Sequence, residues 1–309
     1  MRKMIMPKFR DELRYLGWVI IVIMESDRDL PVLVCFVDDL LFLSKIEAAA
    51  SKLGYKIVYL GRADLVASPG YAAKNRQLAE HLHGQGAELI EKISIWRPAL
   101  IIFDLGNLSV PWREWLPLIK SAPATRRYPV ICYASHVDTE SIRLAVSSGA
   151  DHVFARSNFS DHVLEIIQKQ ARIPDYQAIE SACSEQLSPT AIHGLELFNQ
   201  GLFFEAHEVL EEAWNTDQTL GRELYRAVLQ IAVAYLQIER GNYDGAVKMF
   251  LRVRQWIEPL PVRCRGIEVA EMKVDAQRVY DALLALGRER ISEFDRTLFR
   301  PVTYHIGKL

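Results

Sequence analysis

Short apolar runs alternate with helical stretches over the first half of the chain. Five of these runs are rich in β-branched or aromatic residues, which is typical of buried strands. They are VLVCFVDD (32–39), KIVYL (56–60), ALIIFDL (99–105), PVICYAS (129–135) and HVFARS (152–157). Because strands that alternate with helices pair in parallel, the pattern predicts an α/β domain of the flavodoxin-like type, with a five-stranded parallel sheet and helices on both faces.

Only helical periodicity follows Gln170. Ser188 followed by Pro189 predicts the start of a helix, and Gly201 predicts its end. Further helices are predicted over residues 203–214, 222–240, 243–257 and 269–286. Short connections between helices are typical of a compact bundle, so the second domain is predicted to be all-α.

These patterns divide the chain into four segments. We expect an N-terminal leader over residues 1–30, the α/β domain over 31–170, a linker with a short helix over 171–187, and the all-α domain over 188–300. The apolar run of the leader is too short to span a bilayer and lacks a cleavage site. No membrane partner is therefore expected, a weak surface anchor being the alternative, and the protein proper is expected to begin near Met24.

Composition and charge narrow the classes of function. The 309 residues are 50% hydrophobic, which is enough to build two domains of ordinary size. From Asp175 onward there are fifteen Lys and Arg against twenty Asp and Glu, so nucleic acid is not an expected partner. The four cysteines form no CxxC pair, and we expect them to be reduced thiols of a cytoplasmic protein.

Aspartates stand at the carboxyl ends of two predicted strands. Asp38 and Asp39 follow the first strand, and Asp104 lies near the end of the third. Because ligands gather at this edge of a parallel sheet, these carboxylates are candidates to bind Mg²⁺ and to accept a phosphoryl group. The alternative is that they only cap the helices that follow.

The VDD and FDL segments resemble the corresponding positions in the receiver domain of bacterial response regulators, over about residues 31–170. The resemblance implies that Asp38 and Asp39 bind Mg²⁺ and that Asp104 is the phosphoacceptor. It also implies a homodimer or another protein partner, since receivers commonly pair through one face. Ala134 and Arg156 stand where receivers carry Thr or Ser and Lys, and a helical insertion falls at 70–96. We therefore expect a degenerate, unphosphorylated receiver-like domain.

One histidine and several glutamates lie on the predicted helix FFEAHEVLEEAW. His207 falls at the edge of its apolar face with Glu211 one turn on, so the two could hold a divalent transition metal. Glu208 would then be the general base of a metal-dependent hydrolase. The alternative is an ion-pair network without metal, in which these glutamates meet a polar stripe on the next helix that consists of Arg222, Arg226, Gln230, Gln237 and Arg240.

Three ordered blocks of the second half closely resemble the small helical DUF309 family, over about residues 188–287. They are FNQGLFFEAHEVLEEAW, RELYRAVLQIAVAYLQIERGNYDGA and GIEVAEMKVDAQRVYDALLALG. The family is often labelled a predicted metal-dependent hydrolase. The resemblance implies that its signature positions are His207, Glu208, Glu211, Trp214, Arg222, Gln230, Arg240 and Asn242. Gln237 stands where histidine is common and Arg226 where glutamine is common, so one candidate metal ligand is missing.

Basic residues near Trp256 have two interpretations. Lys248, Arg252 and Arg254 suggest either an anion or RNA patch or a solvated helix face, and the acidic balance of the domain favours the solvated face. Trp214 and Trp256 are expected to pack between helices.

The sequence thus favours a cytoplasmic regulatory protein, in which a receiver-like domain precedes a DUF309-like interaction or output domain. Two alternatives stay open: a hydrolase that uses Glu208, and a response regulator that is phosphorylated on Asp104. Whether the chain is an enzyme is left undecided.

Overall fold

The structure is a computed structural model that describes residues 30–63 and 85–305. The described chain forms two compact units. The first comprises residues 30–63, 98–117 and 129–171, and the second comprises 85–97, 118–128 and 172–305. The predicted leader up to residue 29, the expected start of the protein proper near Met24, and the first part of the predicted insertion lie outside the described residues.

A five-stranded sheet forms the centre of the first unit. Its strands are β1 (Val32–Phe36), β2 (Lys56–Tyr59), β3 (Leu100–Asp104), β4 (Val130–Ala134) and β5 (His152–Ala155). They are all parallel, in the order β2-β1-β3-β4-β5. This order is that of the flavodoxin-like fold, so the predicted fold class is confirmed.

Helices surround this sheet because its central strands are apolar on both faces. All residues of β3 and β4 are buried, as expected when a parallel sheet is covered on each side. The helices of this unit are α1 (Leu40–Leu53), α4 (Thr139–Ser147), α5 (Arg156–Asp161) and α6 (Val163–Gln170). A further helix, α3 (Trp112–Ser121), begins in the first unit and ends in the second.

The second unit is rich in helices. It contains α2 (Gln85–Trp96), α7 (Tyr176–Cys183), α8 (Pro189–Asn199), α9 (Phe203–Thr216), α10 (Glu223–Glu239), α11 (Tyr243–Ile257) and α12 (Val269–Leu286). Ser188 caps α8 as predicted, since its hydroxyl accepts the backbone N–H of Ala191 at 3.1 Å. Tight contact between α8 and α9 follows from Gly194, where a Cβ would lie 2.7 Å from Cγ of Leu210.

The second half is helix-rich as predicted, and it also contains a short antiparallel hairpin of β6 (Arg263–Cys264) and β7 (Ile267–Glu268) after the prolines. One expectation for this half is wrong. The cysteines are not all reduced, because Cys183 and Cys264 form a disulfide with their Cα atoms 4.4 Å apart. Only Cys35 and Cys132 are free, and both are buried. Spacing along the chain could not reveal a pair separated by 81 residues.

Within the described ranges, no helix combines the length and apolar character needed to cross a membrane.

Candidate functional site

The acidic edge of the first unit consists of Asp38, Asp39 and Asp104, together with Arg156. Asp39 follows β1, and its Oδ1 accepts the N–H groups of Leu41 at 2.9 Å and Phe42 at 3.4 Å, which caps α1. Asp104 ends β3, and its Oδ1 accepts the N–H of Gly106 at 2.9 Å. The structure therefore brings Asp39 and Asp104 to one edge of the sheet, and Asp38 is exposed but close enough for its charge to contribute to raising the pKa of Asp104.

Arg156 joins the two inner carboxylates. Its Nη2 lies 2.7 Å from Oδ2 of Asp39 and 3.6 Å from Oδ2 of Asp104. The guanidinium carbon also lies 4.5 Å from the ring centroid of Phe42 and 5.9 Å from that of Tyr133. Because β5 ends at Ala155, the first residue of α5 points its side chain to the edge that carries the aspartates. The resemblance to receivers indicates that Arg156 stands at the position of a receiver lysine, but it does not predict that Asp39 and Asp104 are its partners.

Burial dominates the electrostatics of Asp104. Its side chain is only 4% exposed. Burial raises the pKa of this carboxyl above its ordinary value, and the Gly106 N–H and the charge of Arg156 offset only part of that rise. A buried carboxyl of this kind keeps a partner with positive charge close to it, which is the position that Arg156 occupies.

The fit of this edge to Mg²⁺ can be judged from the same contacts. Magnesium requires oxygen ligands at about 2.0–2.1 Å in near-octahedral order. Here the facing oxygens of Asp39 and Asp104 already contact one guanidinium nitrogen, and a second cation in that place would be repelled. The arrangement does not fit the ion while Arg156 stays there. Magnesium at Asp38 and Asp39 thus remains a prediction that an experiment has to decide.

The predicted cluster on α9 lies toward solvent. His207 is half-buried, whereas Glu208 and Glu211 are exposed. None of the three makes a hydrogen bond or ion pair with another side chain in the described part of the chain. Over the same residues, no group of three or more His, Cys, Asp or Glu side chains is placed to hold a metal ion. The metal-binding role of His207 and Glu211 and the general-base role of Glu208 stay predictions.

The arginines of α10 contact tryptophans rather than the glutamates of α9. Arg226 Nη1 lies 3.5 Å from Oε2 of Glu223 on its own helix. Its guanidinium carbon is 4.7 Å from the ring centroid of Trp214 and 3.7 Å from that of Trp256, and that of Arg222 is 5.2 Å from Trp214. Guanidinium groups stack well on indole faces, whereas exposed glutamates stay hydrated, so the predicted network does not form in that way.

The remaining residues of the stripe, and the signature position Asn242, lie at the turn after α10 or within the helix. Asn242 caps α11 through the N–H of Gly245 at 3.0 Å, and its amide donates to Oε1 of Gln237 at 2.7 Å. Arg240 is exposed at the end of α10. Gln230 is only 4% exposed, and its Oε1 has no hydrogen-bond partner among the described residues.

Helices α8 to α11 include the helix that carries His207, Glu208 and Glu211. They pack against one another through the buried residues Phe198, Phe203, Leu210, Tyr235 and Phe250. Residues 191–249 match the model of DUF309, a domain of unknown function. The resemblance read from the sequence is therefore confirmed over α8 to the first half of α11. No curated protein matches the chain.

Several solved receiver structures are similar to the first half of the chain outside the DUF309 match. The phosphorylated cyanobacterial phytochrome response regulator RcpA has 18% identity, with 47% of this chain and 99% of that chain covered and a TM-score of 0.34. The receiver domain of a sensor histidine kinase from Pseudomonas aeruginosa has 14% identity, 45% and 96% coverage and a TM-score of 0.34. A response regulator from Thermotoga maritima has 17% identity, 45% and 96% coverage and a TM-score of 0.31.

Sequence reasoning missed a buried arginine next to the DUF309 match. The side chain of Arg265, in the hairpin of the second unit, is 3% exposed. It donates to the carbonyl of Ala182 at 3.2 Å and the hydroxyl of Tyr225 at 2.6 Å, and it is hydrogen-bonded to Asp217. Its other acceptors are Glu185 and Thr219, each at 2.8 Å. No residue type or spacing in the segment RCRG signals this role, since all partners are distant along the chain.

Proposed function

We propose that the chain is a regulatory protein whose receiver-like unit acts without phosphorylation and whose DUF309 region is the interaction or output module. The contact of Arg156 with both Asp39 and Asp104 carries this proposal. A guanidinium placed between two carboxylates neutralises charge that would otherwise require a bound cation. The carboxylates of the acidic edge are then paired with a cation of the chain itself, without a bound metal ion or a phosphoryl group.

Stacking supports a fixed position for this arginine. Arginine is planar and always charged, and over the Phe42 ring it gains a cation–π interaction that a lysine at this place would match less well. Lysine in working receivers is a flexible point charge, whereas Arg156 has both an aromatic neighbour and a carboxylate at 2.7 Å. Regulation would therefore come from binding of a protein partner or a second copy, and not from turnover at the acidic edge.

The test is phosphorylation by a small phosphodonor. Wild type, Arg156→Ala and Asp104→Asn are incubated with acetyl phosphate and MgCl₂, and phosphate incorporation is followed by intact mass. We expect no incorporation into wild type. We also expect Mg²⁺ binding, measured by calorimetry, to be weak in wild type and stronger in Arg156→Ala, because the competing guanidinium is removed.

Arg143→Ala is the matched control, since Arg143 is exposed on α4 and the same charge is lost. It should bind Mg²⁺ as wild type does. Stoichiometric phosphate on wild type that disappears in Asp104→Asn would overturn the proposal in favour of a phosphorylatable response regulator. Tight Mg²⁺ binding by wild type that requires Asp38 and Asp39 would also contradict it.

A further inference from the structure

A cluster of arginines and tryptophans lies on the second unit. The guanidinium carbon of Arg127 is 4.4 Å from the ring centroid of Trp256, and that of Arg226 is 3.7 Å from the same centroid. Arg252 lies one helical turn before Trp256 on α11, so the two share a face. Arg127 follows α3 in sequence, far before the others, and only the fold brings it here. Arg126 precedes it, and the charge of Arg126 contributes to lowering the pKa of Arg252. We call Arg126, Arg127, Arg226 and Arg252 the arginine cluster.

Positive charge in this cluster exceeds the nearby negative charge. Of the four arginines, only Arg226 has a carboxylate partner in the described chain, Glu223 at 3.5 Å. Burial lowers the pKa of Arg226 and of Arg252, and the charges of neighbouring arginines lower both further. Each shift agrees with the geometry, since like charges that are partly removed from water destabilise one another. Such an arrangement is expected where an anion from outside the chain supplies the missing charge.

Buried polar groups next to the cluster are also unsatisfied. The indole N–H groups of Trp214 and Trp256 have no hydrogen-bond partner among the described residues. Both are donors, so the oxygens of an anion are suitable acceptors for them. Buried donors without partners are uncommon in native proteins, and each calls for an acceptor from outside the chain, such as a water or an anion. Both indole rings lie beside arginines of the second unit.

We propose that the arginine cluster binds a small phosphorylated ligand through its phosphoryl group. Guanidinium forks match phosphate oxygens in two-pronged hydrogen bonds, and the indole rings keep the forks in place. A polynucleotide would need a basic surface of greater extent. The second half of the chain is acidic overall, with a net charge of −5 from Asp175 onward, so the positive area is local. All residues of the cluster lie in the second unit.

Calorimetric titration of the full chain with inorganic pyrophosphate tests this site. We expect saturable binding accompanied by a change in tryptophan fluorescence, because Trp256 lies against two of the arginines. Arg252→Gln and Arg127→Gln should each weaken binding by about tenfold or more, the loss expected when one charge-assisted contact is removed. A titration with sodium chloride at equal ionic strength shows how much of the signal comes from general screening of charges by salt.

Arg278→Gln is the control variant, since it removes the same charge from an exposed position on α12. It should bind pyrophosphate as wild type does, and circular dichroism should show that all three variants are folded. Absence of saturable binding by wild type would overturn the proposal. Equal affinity of wild type and both cluster variants would do the same. Binding of a labelled single-stranded RNA that Arg252→Gln abolishes and pyrophosphate does not displace would assign the surface to nucleic acid instead.

Discussion

Replacement of Arg265 by methionine is the sharpest test of how the second unit is stabilised. The substitution keeps a long apolar side chain but removes every hydrogen bond of the guanidinium. Asp217, whose side chain is 13% exposed, and the hydroxyl of Tyr225 would then lose their shared donor. Breaking a buried pair by removal of one partner costs about 3–5 kcal/mol, because the other charge stays buried. Since domains are stable by about 5–15 kcal/mol, we expect a large shift in the unfolding midpoint.

Urea unfolding at neutral pH, followed by circular dichroism and tryptophan fluorescence, measures this loss. The two compact units can unfold separately, so each transition is fitted on its own. The control is Arg278→Met, the same change at an arginine that is 48% exposed and pairs with Asp275 on its own helix. An exposed pair of this kind contributes about 0–1 kcal/mol.

Two results would contradict this account of Arg265. If Arg265→Met lowered the free energy of unfolding by no more than Arg278→Met does, the buried hydrogen bonds would add nothing beyond a surface ion pair. A loss confined to the transition of the first unit would contradict it as well. The expected result is a loss of about 3–5 kcal/mol in the transition of the second unit alone.

Two further predictions concern the same part of the second unit. The Cys183–Cys264 disulfide closes a separation of 81 residues, so reductant should lower the free energy of unfolding of wild type by about 4 kcal/mol. It should not change the free energy of unfolding of a Cys183→Ala/Cys264→Ala variant. Alkylation of all four cysteines in the unreduced, denatured protein would show that the bond is absent. Burial acts to raise the pKa of Asp217, but its hydrogen bonds and the neighbouring guanidinium outweigh burial and lower it. Its contribution to stability is therefore present above the unfolded pKa of about 4 and lost as pH falls through the lower folded pKa. Urea midpoints of wild type and Asp217→Asn should accordingly converge in acid, and a constant difference down to low pH would contradict this.

Local patterns predict the elements of the fold because each element carries its own signals. The apolar runs place the strands to within a few residues, and the predicted final helix over 269–286 has the observed bounds. Ser188 with Pro189 marks the start of α8 because a side-chain cap acts within four residues. The match to DUF309 likewise rests on contiguous blocks of sequence.

Contacts between distant segments could not be predicted in the same way. Arg265 lies in a short hairpin that has no apolar periodicity, and its partners lie 40 to 83 residues away. The approach of Arg127 to Trp256 joins segments that belong to different halves of the sequence. The stripe on α10 is recognisable in the sequence, but its arginines turn to indole rings instead of the glutamates of α9, because stacking depends on tertiary neighbours that no spacing reveals.

Shielding of every cysteine makes the native chain a convenient host for site-directed spectroscopic probes. Cys35 and Cys132 are fully buried, and burial raises the pKa of each thiol, while the other two cysteines are bonded to each other. Maleimide reagents need an accessible thiolate, so the folded protein should remain unlabelled. A cysteine introduced at Val137, 72% exposed, or Val274, 57% exposed, would then be the single attachment point for a spin label or a fluorophore. Two such labels, one on each unit, would allow the distance between the units to be followed in solution without removal of any native residue that the fold requires.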